Sequence, residues 1–101
     1  IEKAIIDLDI AAAQIGLGKK DEAWTMAKQS FDTFLKNEQW QEAVEACETL
    51  YLTEAPAAIN ALAHGIWLSV TFPIVAQTSL TMLNYVIDET PKESDGAAVA
   101  A

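Results

Sequence analysis

The chain is punctuated at short, regular intervals, and that spacing restricts its fold more than any other feature. Turn-forming or helix-breaking clusters fall at residues 16–20 ("GLGKK"), 37–39 ("NEQ"), 53–56 ("TEAP"), 72–73 ("FP") and 90–91 ("TP"). Between them, apolar residues recur three and four positions apart, which is the pattern of one helix face. Helix starts are expected near residues 2, 21, 39, 56, 78 and 94. Alternate starts then lie about 35 to 40 residues apart, the period of stacked two-helix units. The connections are short, so successive helices should run antiparallel. Only four Gly and three Pro serve 101 residues, which also favours long regular elements.

Each segment has its own apolar pattern. In the first, Ile1, Ile5, Leu8, Ala12 and Ile15 form one stripe and Ile6, Ile10, Ala13 and Leu17 a second, predicting a helix with two buried neighbours. Asp21 is expected to cap the second helix, whose buried line is Trp24, Ala27, Phe31, Phe34 and Leu35. Its outer face offers an Asp32–Lys36 pair at i,i+4. The third helix should bury Trp40, Ala43, Val44, Cys47, Leu50 and Tyr51. Thr53 or Glu54 is the expected cap of the fourth, with Pro56 in its first turn. That helix carries Ile59, Leu62, Ala63, Ile66, Trp67 and Val70 on one side. Small residues Ala58, Ala61, Gly65 and Ser69 on another admit a close neighbour. The fifth helix should start at Thr78 or Ser79 and pack through Leu80, Leu83 and Ile87, with Met82 and Val86 beside them. Ser94 or Asp95 would cap a sixth.

The expected fold class is therefore all-α: antiparallel helical hairpins stacked as a repeat or solenoid, or a compact helical bundle, forming one domain over residues 1–101. The chain lacks an initiator Met and ends in "GAAVAA", which reads as a helix beginning, so a longer protein is expected.

The segments "GKKDEAWTMAKQSF" (18–31) and "NEQWQEAVEACETLY" (37–51) echo one another: polar turn, acid or amide, Glu-Ala, apolar stripe. In "GLGKKDEAW" the chain resembles tetratricopeptide-type (TPR-like) repeat proteins. Gly18 stands in the inter-helix turn, and Ala23 and Ala27 at the small packing positions of the second helix. Ala58 and Leu62, thirty-five residues further on, hold similar places in the fourth. The family's first-helix aromatic, Leu-Gly pair and Tyr are replaced by Asp7, Ile10, Ala11 and Gln14. The resemblance spans about residues 1 to 70 and implies a protein-binding scaffold without chemistry of its own.

Charge narrows the partner class. Fifteen acids against six bases give a net charge of −9. Such a surface repels phosphate backbones, which argues against nucleic acid, and favours a partner with a basic segment. No Gly-rich phosphate loop, paired-cysteine spacing or Ser/His/Asp set is present. The expectation is accordingly a non-catalytic chain with no cofactor and no metal. His64 has Asn60 one turn before it and no carboxylate or thiol companion within a helical turn, so a structural ring is expected; a ligand-binding role is the alternative. Cys47 sits on an apolar stripe between Glu45 and Glu48, which disfavour a thiolate.

The candidate partner-binding residues are Trp24, Trp40 and Trp67, as aromatic anchors, and the acidic ridge Glu38, Glu42, Glu45 and Glu48. Residues 55–87 carry no formal charge. A buried helix pair is the first reading of that run. Docking on a membrane complex is the second, since Asn60, His64, Ser69, Thr71 and Pro73 dilute any spanning segment. A cytoplasmic protein-interaction module, adaptor or accessory subunit is the function expected.

Overall fold

A computed structural model describes residues 1–89. Five helices follow one another: α1 (Glu2–Gly16), α2 (Lys20–Lys36), α3 (Trp40–Leu52), α4 (Ala58–Thr71) and α5 (Ala76–Glu89). They begin at residues 2, 20, 40, 58 and 76, so alternate helices start 36 to 38 residues apart. Among the described residues there is no strand. The sixth helix expected from Ser94 or Asp95, and the stop at Thr90-Pro91, lie outside the described residues.

Each helix packs on its successor, and α3 also meets α1 and α5. The backbones of α2 and α4 do not come together, nor do those of α1 and α5. The result is a staggered two-layer array: α1, α3 and α5 on one side, α2 and α4 on the other. α3 is the common partner, and its buried residues Ala43, Val44, Ala46, Cys47, Thr49 and Leu50 account for nearly half its length. Phe34, Leu68 and Met82 are the largest fully buried side chains. Removing each from water contributes about 1.5–3 kcal/mol.

The turns close by backbone geometry. Gly18 (φ +83°) and Glu38 (φ +56°) adopt the left-handed conformation after α1 and α2. In both turns the next N–H reaches back five residues, Lys19 to Gln14 (2.8 Å) and Gln39 to Phe34 (2.9 Å). This is a left-handed helix stop used twice. Glu54 (φ +58°) repeats the left-handed step after α3. None of α1 to α4 has a side-chain N-cap hydrogen bond. Asp21 is therefore inside the first turn of α2 rather than its cap, which is Lys19. Thr53 closes α3, donating to the Leu50 carbonyl at 2.7 Å; the cap of α4 is Ala57, and Pro56 lies in the turn before it. α5 starts at Ala76, two or three residues before the expected Thr78 or Ser79. On α2, Asp32 accepts from Lys28 (3.3 Å).

Several expected faces are reversed. α1 buries Ala4 and Ala11, while Ile1, Ile5, Ile6, Ile10 and Leu17 are exposed. α4 buries the small face expected to admit a close neighbour, Ala58, Ala61 and Gly65, together with Leu62 and Leu68, while Ile59, Trp67 and Val70 of its bulky line are exposed. α5 buries Met82, and Leu80, Leu83 and Ile87 are exposed. For α1 and α4 the cause is steric. Small residues let helix axes approach closely, so the narrow faces enter the contact and the bulky ones are left outside. Ser30 shows how near α1 and α2 come: its buried hydroxyl donates to the Ala4 carbonyl at 2.9 Å.

Candidate functional site

The gap between α2 and α4 forms a groove whose floor is α3. Trp24, Lys28 and Phe31 line one bank and Asn60, Ala61 and His64 the other, over Cys47 and Leu50, around a cavity of about 150 Å³. A line of aromatic rings runs from this groove along α4. Phe31 meets His64 edge-on at 5.0 Å, His64 meets Trp67 at 6.4 Å, and Trp67 meets Phe72 at 6.2 Å. Phe72 in turn stacks face to face on Trp40, centroids 4.0 Å apart and planes 10° apart. Lys28 adds a cation 5.3 Å from the Phe31 centroid.

Thus the structure joins two of the three tryptophans, Trp40 and Trp67, through Phe72. Trp24 is half-buried at the opposite bank. Trp67 is 56% exposed, which corrects the sequence expectation that it faces the core. Phe72 was missed as a site residue because it precedes Pro73 and reads as punctuation. The signal that could have found it is its spacing from His64 and Trp67 on the rim of one helix.

The acidic ridge is elsewhere. Glu45 and Glu48 flank a cleft with Asp9 on α1 and Thr78 and Thr81 on α5, on the α1–α3–α5 side. Successive helix positions turn 100°, so Glu45, Glu48 and Thr49 point away from Cys47 and Leu50. Glu48 accepts the Tyr85 hydroxyl at 2.8 Å and Glu45 accepts from Gln41 at 2.9 Å. Glu38 is the exposed turn residue between α2 and α3, and Glu42 is half-buried in the first turn of α3. The tryptophans and the carboxylates therefore do not build one site with an apolar centre and an acidic rim.

Burial raises the Cys47 thiol to about 12, against a smaller opposing pull from Lys28. At that value it is a packed thiol and not a nucleophile. His64 has aromatic neighbours on both sides and Asn60 beside it in the groove. Among the described residues no three His, Cys, Asp or Glu side chains converge in a way that would hold a metal ion. What the groove and ring line offer chemically is flat aromatic surface with few polar groups, suited to apolar anchors of another molecule.

Among the described helices none is long and apolar enough to cross a membrane. No family model, no curated protein and no solved structure matches the chain.

Proposed function

We propose that this chain is a non-catalytic protein–protein interaction module, an adaptor or accessory subunit of a larger assembly. The observation that supports it best is the apolar outer surface of the array. α1 presents Ile1, Ile5, Ile6 and Ile10, and α5 presents Leu80, Leu83 and Ile87. The outer helices of a stacked array normally carry polar outer faces. Large apolar side chains left exposed in such number mark contact with another macromolecule. The exposed ring of Trp67 extends such surface along α4. A TPR-like scaffold of the cytoplasm is the specific form of this reading.

A second reading places the partner in a membrane complex, docked through residues 55–87. It is favoured by the exposure of Ile59, Trp67, Val70, Val75 and Leu80 within that uncharged run. Affinity purification from the protein's own cells, with soluble and membrane fractions kept apart, tests both. A stoichiometric partner supports the module, and the fraction holding it chooses between the readings. A clean, partner-free monomer overturns both.

A further inference from the structure

At the end of the array where α1 meets α2 and α3 meets α4, the last turn of α5 closes a cleft of about 760 Å³. One side is a pair of tyrosines in contact, Tyr51 of α3 and Tyr85 of α5, with ring centroids 4.9 Å apart and planes tilted by 41°. Both phenols are fixed by carboxylates: Tyr51 donates to Glu89 at 2.6 Å and Tyr85 to Glu48 at 2.8 Å. Among the described residues, Glu54, Asp88 and Glu89 line the cleft against one cation, Lys20, whose ammonium is committed to Glu54. Leu52 and Ile59 supply an apolar floor.

Those parts match one kind of visitor. A cation is attracted by the faces of tyrosine rings and by carboxylates beyond their edges. The apolar floor suits the methylene stem of a long basic side chain. Between the two basic residues, the guanidinium is planar, so it can lie flat on an aromatic face and fork onto a carboxylate with two parallel bonds, whereas an ammonium meets either only as a point charge. The environment is anionic enough to be felt by its own phenols. Tyr51 is pushed up to about 12, first by its bond to Glu89, and Tyr85 to about 12, first by burial and then by Glu48.

We infer that the Tyr51–Tyr85 cleft binds an arginine side chain on a basic segment of a protein partner, with Asp88 and Glu89 as its carboxylate contacts. The inference rests on the interaction-module reading and names the partner chemistry at one place on the surface.

The probe is N-acetyl-triarginine amide, with the trilysine and tricitrulline peptides as charge and shape controls, followed by the ring and methyl signals of the protein in NMR titration. Triarginine should saturably shift the Tyr51, Tyr85 and Ile59 signals, bind more tightly than trilysine, and leave tricitrulline without effect. The double variant Asp88→Asn, Glu89→Gln should lose about tenfold in affinity. A Glu42→Gln, Glu45→Gln control should bind like wild type, and thermal melting should confirm that both variants fold. Equal weakening by the two charge variants, or shifts spread along α3, would mean diffuse attraction and overturn the cleft. Affinity capture with the cleft variant separates the levels of the claim. A partner lost by that variant alone supports the cleft. A partner held equally by wild type and variant overturns the cleft and leaves the module standing. No partner with either protein overturns both.

Discussion

Gly65 and Cys47 are packed so closely that no side chain fits between them. A Cβ built on Gly65 lies 2.9 Å from the Cys47 Cβ and overlaps the terminal methyl of Met82. The methyl of Met82 can swing aside, but Cβ of Cys47 moves only with α3. Gly65→Ala gains about 1 kcal/mol of helix propensity and incurs about 1–3 kcal/mol of overpacking. The expected net result is a loss of ~1 kcal/mol in urea unfolding. Gly16, with nothing within 4 Å of the same position, is the control: Gly16→Ala should be neutral or stabilising. Equal effects at the two sites would show that α3 and α4 are not in close contact.

Trp40 and Trp67 should separate stability from binding. The Trp40–Phe72 stack ties the start of α3 to the end of α4. Phe72→Ala removes an aromatic pair worth ~0.5–1.5 kcal/mol and half-buried surface besides, so thermal melting should show a loss of ~2 kcal/mol. Trp67 is 56% exposed and meets His64 and Phe72 only edge-on, so Trp67→Ala should cost ~1 kcal/mol, less than Phe72→Ala. Its main effect is expected on partner capture. A large stability loss at Trp67 would place it in the core after all.

Glu38 occupies a backbone conformation that costs a side chain about 1–2 kcal/mol relative to glycine. Glu38→Gly should therefore stabilise the fold, by ~0.5–1 kcal/mol once the greater freedom of unfolded glycine is set against it. Glu45→Gly, in the middle of α3, should lose ~1 kcal/mol. Both are read by the midpoint of chemical unfolding. If Glu38→Gly also destabilises, the Glu38 side chain makes a contact worth more than the strain.

The turns were the most legible part of the chain. Gly18, Asn37 and Pro73 gave helix ends to within a few residues, because a missing Cβ or N–H acts locally. Glu38 and Glu54 take the same left-handed step as Gly18 without any signal in residue type. Helix faces were legible only where polarity is one-sided. α2 and α3 place Lys and Glu opposite their apolar lines, and the buried sets there largely follow. α4 has no charge to mark an outside, so periodicity could not choose between its bulky and its small face. The choice fell to close approach, as Gly65 shows. The candidate site shared that limit: Phe72 joins Trp40 to Trp67, and His64 joins Phe31 to Trp67, only once the chain is folded, and the ridge at Glu45 and Glu48 lies on another face.

Ser30 tests the close contact of α1 and α2. Its hydroxyl is buried and donates to Ala4 across the helix pair. Ser30→Ala deletes the donor without adding bulk and should cost about 1 kcal/mol in chemical unfolding. Ser30→Leu must push the helices apart and should cost about 1–3 kcal/mol. A neutral Ser30→Leu would mean that α1 packs loosely enough to move.

Cys47 sets the alkaline limit of stability. Its thiol ordinarily titrates near 9.0, and burial holds it protonated in the folded chain to about 12. Below pH 9 both states keep the proton and the stabilisation is complete. Between 9 and 12 the unfolded chain releases the proton while the folded chain retains it. The unfolded state then binds fewer protons, so stability must fall as pH rises. Tyr51 and Tyr85, raised from 10.0 to about 12, act in the same direction from a later onset. Urea midpoints measured across pH 8 to 11 should decline from about pH 9 in wild type. In Cys47→Ala the absolute stability is lower because a core atom is lost, but the decline should begin about one unit later. The folded thiol should also resist iodoacetamide at pH 8 and react at once in urea. Rapid alkylation under native conditions, or identical pH slopes for the two proteins, would mean that α3 does not keep Cys47 out of water.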